Sequence, residues 1–177
     1  MRSRQRCQKG FTLLELLVVI VILGVVAATA VFSIGTLGRD DRLQEEALRL
    51  TTLLRLASEE ALLTGRDIGL YLEEDNYRFL LYSRETVQWL VLEGDDIFRP
   101  WKLPEEVYFS VAVEDREIVL EPLDDIEAIE PQVAVFSSGD ITPFEIYLNR
   151  ELSDQQYLVE GLPNGDIELQ ELDPDAL

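Results

Sequence analysis

Lys9-Gly10-Phe11-Thr12-Leu13-Leu14-Glu15 opens onto an apolar run, Leu16 to Gly38, that carries no charge in 23 consecutive positions. As a helix rising about 1.5 Å per residue, the run reaches roughly 34 Å, enough to cross a hydrocarbon core. A soluble helix is seldom apolar over its whole circumference, so the bilayer is the expected solvent. Arg2, Arg4, Arg6 and Lys9 precede the run and the mixed-charge exit Arg39-Asp40-Asp41-Arg42 follows it. That asymmetry orients the N-terminus to the cytoplasm. Glu15 is the anomaly, because an ionised side chain within such a segment costs about 2.5–3.5 kcal/mol or more.

On these residues alone, three readings stand. The first is a plain signal anchor that tolerates Glu15 near the interface. The second is a cleaved secretory signal, with Ala28-Thr29-Ala30 as an A-x-A-like site after a basic leader. The third is a retained segment specialised for assembly. Against the second, apolar character continues through Val31, Phe32 and Ile34, and Glu15 interrupts the start of its apolar core.

Beyond Gly38 the pattern changes. Leu43, Ala47, Leu50, Leu54, Ala57 and Ala61 recur at spacings of 3 and 4, one apolar stripe on an amphipathic helix, widened by Leu48, Leu53, Leu56 and Leu62. Gln44, Glu45, Arg49, Arg55, Ser58, Glu59 and Glu60 lie mostly off it, and Thr64-Gly65 supplies a stop. The helix is expected from about 12 to 63, with Gly35 and Gly38 as weak points.

From Ile68 the period becomes that of short strands. The expected strands are Ile68–Leu72, Tyr77–Tyr82, Val87–Leu92, Val107–Val113, Ile118–Leu120, Val133–Phe136, Phe144–Leu148, Tyr157–Val159 and Ile167–Leu169. Glu73-Glu74-Asp75-Asn76, Glu114-Asp115-Arg116-Glu117, Ser138-Gly139-Asp140 and Pro163-Asn164-Gly165-Asp166 read as turns between them. The fold class is α+β: a long N-terminal helix, half transmembrane and half amphipathic, packed on an antiparallel sheet or sandwich. Four segments follow: a basic leader at 1–10 that is cleaved, a transmembrane helix at 11–38, an amphipathic helix at 39–65 and a β-rich domain at 66–177. The aromatic residues Tyr71, Tyr77, Phe79, Tyr82, Trp89, Phe98, Trp101, Tyr108 and Phe109 are expected in the core. Residues 121–132 read as an acidic loop with two prolines.

Composition removes whole classes of chemistry. Formal net charge is −20, from 15 basic and 35 acidic residues, and becomes −24 once the four cations of residues 1–10 are set aside. So acidic a domain repels a phosphate backbone, which excludes nucleic acid as the expected partner. There is no histidine, and the single cysteine is Cys7. A Ser-His-Asp or Cys-His pair and zinc in its usual ligand sets are therefore ruled out within the chain. Ser137-Ser138-Gly139-Asp140 has the look of a nucleophile turn, yet no base accompanies it and no G-x-S-x-G elbow surrounds it. Asp124, Asp125, Glu127 and Glu130 offer hard oxygens without EF-hand spacing. The expectation is no catalytic residue, no cofactor and no metal.

Gly10-Phe11-Thr12-Leu13-Leu14-Glu15-Leu16, between a basic leader and an apolar helix, resembles the class III signal of type IV pilins and pseudopilins. Phe136-Ser137-Ser138-Gly139-Asp140-Ile141-Thr142-Pro143-Phe144-Glu145-Ile146 resembles the strand-turn-strand of the H-type minor pseudopilins of type II secretion, as does Glu60-Ala61 through Gly65-Arg66-Asp67-Ile68-Gly69-Leu70. The resemblance implies cleavage after Gly10 by a prepilin peptidase, N-methylation of Phe11, and pairing of Glu15 with the Phe11 ammonium of a neighbouring subunit. That pairing would make the buried charge tolerable. It implies a single-pass inner-membrane protein with its C-terminal domain in the periplasm. Its partners would be other major and minor pseudopilins and the inner-membrane and secretin components of the secretion system. The subunit would sit at or near the tip of a short filament that promotes export of folded proteins across the outer membrane. Two alternatives remain at this point: a minor pilin of a type IV pilus, and a membrane-anchored periplasmic binding domain with no filament role.

Overall fold

The computed structural model describes residues 13–172 except 93, 95, 124–128 and 152; of 27–41 it describes the backbone alone. The chain divides into two compact units, Met1–Arg39 and Asp40–Leu177. One helix, α1 (Leu13–Thr64), contributes to both. Its end is built as the sequence predicts. Gly65 takes φ +67°, and its N–H bonds the Ala61 carbonyl at 2.9 Å, a left-handed cap that needs a residue without Cβ. The last turn of α1 holds no basic residue. Arg84 supplies the missing cation from a distant hairpin, donating to the Gly65 carbonyl at 2.8 Å.

Within the second unit, the six stripe residues Leu43, Ala47, Leu50, Leu54, Ala57 and Ala61 are fully buried. Leu53 and Leu56 widen the stripe, half-covered against the core. Leu48 and Leu62 do not. Both are about half exposed.

The strands form two antiparallel sheets. The first has the order β3-β2-β1-β7, from Gln88–Val91, Asn76–Ser83, Ile68–Leu72 and Val133–Val135. The two-residue β4 (Trp101–Lys102) shares an edge of β2 with β3: β3 pairs at Leu80–Ser83 and β4 at Asn76 and Tyr77. The second sheet has the order β10-β9-β8-β5-β6, from Ile167–Leu172, Gln156–Gly161, Phe144–Arg150, Val107–Val113 and Arg116–Ile118. Alternating burial in β5 and β8 aims Phe109, Val111, Ile146 and Leu148 at the core that also holds the helix stripe.

Eight of the nine expected strands occur close to their predicted positions. β6 begins two residues early. Glu114 and Asp115 both take positive φ, 51° and 61°, and close a two-residue turn, so Arg116 and Glu117 belong to the strand. β4 was not anticipated. Of the nine aromatic residues expected inside, Tyr77, Phe79, Phe98 and Phe109 are buried, Tyr71, Tyr82, Trp89 and Trp101 are half-buried, and Tyr108 faces solvent on β5, where its neighbours Val107 and Phe109 take the inner face. The Ser137-Ser138-Gly139-Asp140 stretch is a turn, closed by Phe136 N–H to the Asp140 carbonyl at 2.9 Å, with Gly139 at φ +96°.

Two strand glycines are needed for space. A Cβ on Gly161 would lie 2.1 Å from the buried Phe144 ring, and one on Gly69 would lie 2.6 Å from Pro131. Arg55, which lies off the stripe, reaches the second sheet and donates through Nε and Nη2 to the Ile167 carbonyl at 3.1 and 2.6 Å.

Candidate assembly site

Of the three site residues expected from sequence, Gly10 and Phe11 lie outside the described residues. Glu15 stands in the first turn of α1 and is exposed. Around it, every large apolar side chain from Leu13 to Val26 is exposed, between 43% (Val19) and 85% (Leu13). No face of this segment is covered, unlike the stripe further on. One carboxylate on an apolar cylinder cannot hold a metal or activate a nucleophile. It can seek a cation while the surrounding side chains seek an apolar medium. Among the described residues no helix is long and apolar enough to cross a membrane, a statement that leaves out the side chains of 27–41, which the predicted span includes.

The second unit adds two features that sequence reasoning missed. Glu46, one residue before the stripe position Ala47, is only 7% exposed. It accepts from Trp101 Nε1 at 2.9 Å and faces Arg49 Nε at 3.6 Å. Burial raises its pKa above the ordinary 4.5, against the lowering effects of the Trp101 hydrogen bond and the Arg49 charge. The buried Tyr77 hydroxyl is pushed well up, first by desolvation and then by the Glu46 charge. The second feature runs straight across the second sheet. Glu117, Ala112, Glu145, Glu160 and Glu168 are successive cross-strand partners on β6, β5, β8, β9 and β10. Four carboxylates therefore occupy one row, a like-charge arrangement that works against pairing. Tyr147 relieves it by donating to Glu145 Oε2 at 2.7 Å, a bond that pushes the phenol to about 12. Neither feature had a signal in sequence, since one depends on a contact 55 residues apart and the other on register.

Among the described residues, no group of three or more His, Cys, Asp or Glu is placed to hold a metal ion. Of the acidic positions considered for calcium, Asp124, Asp125 and Glu127 lie outside those residues.

The family model described as "Type II transport protein GspH" matches residues 46–165, most of the folded unit. The chain belongs to that family. A second model, the prokaryotic N-terminal methylation motif, matches residues 5–31, the stretch that holds Gly10, Phe11 and Glu15. The chain is 34% identical over 148 residues to type II secretion system protein H of Pseudomonas aeruginosa, covering 81% of this chain and 84% of that protein. It is 30% identical over 161 residues to the Aeromonas hydrophila protein of the same name, covering 88% of each. Its fold matches the crystal structure of the minor pseudopilin EpsH from the Vibrio cholerae type II secretion system, with TM-score 0.62 and 26% identity over 73% of this chain and 94% of that one. The solution structure of Escherichia coli GspH, at 20% identity and TM-score 0.57, covers 75% of this chain and 90% of that one and shares the fold. The GspH family consists of structural pseudopilins of type II secretion, membrane-anchored with a periplasmic domain. The function of the chain is that of a minor pseudopilin.

Proposed function

We propose that the chain works as a tip-associated subunit of the secretion pseudopilus, without catalysis, cofactor or metal, and that Gly10, Phe11 and Glu15 carry its processing and assembly. Prepilin peptidase cuts after Gly10 on the cytoplasmic side and methylates the new amino-terminus of Phe11. Residues 11–38 then remain as the membrane and assembly helix, 39–65 continue it into the periplasm, and 66–177 form the β-domain. As subunits leave the bilayer their apolar helices pack together, and Glu15 sets register by pairing with the Phe11 ammonium of a neighbour. The partners are the other major and minor pseudopilins, followed by the inner-membrane and secretin components. The work is export of folded proteins across the outer membrane.

The observation that supports this most is the helix start: apolar on every side, uncovered by its own chain, and carrying one carboxylate. Such a surface needs an apolar medium and a cation, and a bundle of pseudopilin N-termini would supply both. The Glu15→Val variant should be cleaved and inserted normally yet fail to enter filaments or support secretion. Normal secretion by that variant would end the register idea. Gly10→Asp should leave the leader attached. Mass spectrometry of the N-terminus should find a methylated Phe11, and an intact Met1 or a start at Val31 would overturn the processing scheme.

A further inference from the structure

We propose that the outer face of the second sheet, centred on Tyr108, Tyr147 and Leu158, docks a neighbouring pseudopilin that presents Lys or Arg side chains to its Glu145 and Glu160 edge. The inference rests on the filament-subunit reading above and deepens it by naming a surface and the chemistry of its partner.

The inner faces of both sheets share one core with the helix stripe. Their outer faces differ. On the first sheet the outer face is covered: a Cβ on Gly69 would lie 2.6 Å from Pro131 and 3.1 Å from Trp89, and Ile129 is buried. On the second sheet Tyr108, Glu168 and Gln170 are exposed. Among the described residues, the side-chain hydrogen bonds of this outer face stay within it. Next to the glutamate row, Ser110, Tyr147, Leu158 and Gln170 are successive cross-strand partners on β5, β8, β9 and β10. Leu158 is buried there, yet lies outside the shared core. Tyr108 pairs with Asn149 in the row after it, and Asn149 donates to Ser110 Oγ at 3.0 Å and accepts from Gln156. None of these residues is charged, in a chain of which 28% is. Loss of charge together with tyrosine marks the centre of protein interfaces rather than an ordinary solvated face. The amides already hold one another, so a partner has little left to order.

The edge of the face fixes the sign of the partner. A cavity of about 380 Å³ there is lined by Pro143 and Phe144 together with Glu114, Asp115, Glu145 and Glu160. Among the described residues none of these four carboxylates is in an ion pair, and exposed Arg116, next in the chain after Asp115, forms none with them. No group of carboxylates is placed to hold a metal ion. Apolar walls with carboxylates at the mouth suit a lysine or arginine, whose stem packs while its head pairs. The like-charge row works against the fold, and an incoming cation removes that repulsion. A second copy of the chain is the wrong occupant, since it would bring its own glutamate row and another −24 of charge. Nucleic acid is repelled in the same way. What fits is a protein surface with a cationic band beside an apolar patch, and the filament brings neighbouring pseudopilins into contact.

The test measures binding of the full chain, in detergent, to each other pseudopilin of the same secretion system, also as full chains. At least one should bind, with a Kd that rises between about 0.05 and 0.5 M salt. Glu145→Gln/Glu160→Gln should weaken that binding about tenfold and raise the thermal midpoint of the domain, because one change removes both the attraction for the partner and the repulsion along the row. Tyr108→Ala should weaken binding about fivefold at an unchanged midpoint. Glu60→Gln/Glu85→Gln, the same change of charge at exposed positions off this face, should bind as the wild type does. Full-strength binding by Glu145→Gln/Glu160→Gln, equal weakening by the control, or binding indifferent to salt would each overturn the proposal. So would weakened binding with a lowered midpoint, which would assign the row to folding. Benzophenone-phenylalanine in place of Tyr108 should crosslink to a pseudopilin in secreting cells, and crosslinks to exported protein alone would give the face to cargo instead. A wild-type chain that binds no pseudopilin refutes the filament reading and this face with it, whereas binding untouched by the variants refutes the face alone.

Discussion

Helix α1 has two apolar stretches that meet different fates. From Leu43 to Ala61 six apolar side chains form one stripe, and each of the six is buried in the chain's own core. From Leu13 to Val26 they surround the helix, and every large one is exposed. The residue types are nearly the same and the arrangement differs. A stripe can be satisfied by one partner surface, which the β-domain provides. A cylinder cannot be covered by one small domain, so its burial has to come from lipid or from other subunits. The first stretch therefore belongs to folding, and the second is the one proposed above for assembly.

The sharpest test of that division is a pair of truncations. Leu54→Ala should lower the unfolding free energy of the domain by about 2–5 kcal/mol, read by urea or thermal denaturation, because it leaves a cavity beneath the stripe. Leu17→Ala should leave the same midpoint unchanged. A large loss from Leu17→Ala would show that the two stretches share one folding role. Gly161→Ala probes the surface against which the stripe packs. With a Cβ 2.1 Å from the Phe144 ring, it should cost about 1–3 kcal/mol through overpacking and leave membrane insertion unaltered.

Two carboxylates extend the comparison, one in each stretch. Glu15 is exposed, whereas Glu46 is buried with a raised pKa. An acid whose folded pKa is raised binds its proton more tightly in the folded state than in the unfolded one. Its stabilisation is therefore complete below the ordinary value of 4.5 and is lost as pH climbs through the raised value. Stability measured across that window should fall with rising pH in the wild type. Glu46→Gln, which can still accept from Trp101, should flatten the slope, and an unchanged slope would place the titration elsewhere. The smallest effect is expected at Val87, an exposed β-branched residue at φ 56° in the β2–β3 turn. Val87→Gly should stabilise the domain by up to about 1 kcal/mol, since relief of left-handed strain outweighs the added freedom of the unfolded chain. A destabilised variant would show that Val87 contributes contacts worth more than its strain.

Much of this was legible before any coordinates. The six stripe residues were read from 3- and 4-residue spacing alone, and Thr64-Gly65 marked the helix end that Gly65 makes at φ +67°. β1 and β5 fall at their predicted bounds because period-2 alternation and flanking turn residues are local signals. The misses share a cause. Trp101–Lys102 is too short to show any period, and Glu114-Asp115 closes a tight turn without the Gly that usually marks one. Leu48 and Leu62 look like stripe residues and stay about half exposed. At the assembly site, Glu15 was singled out from the cost of a charge in an apolar run, and the structure places it, exposed, in the first turn of α1.

The sequence by itself determined that this chain has a one-faced helix, many short antiparallel strands, no histidine chemistry, and an apolar segment with one carboxylate. Each of those is written in composition or in a repeat of two to four residues, and needs no knowledge of what lies across the fold. Tertiary structure alone decided the buried Glu46 bonded to Trp101 Nε1, the cations collected on that ring, and the row of glutamates from Glu117 to Glu168. Those depend on strand register and on contacts between residues far apart in the chain, which are set by the joint packing of helix and sheets and leave no periodic trace in sequence.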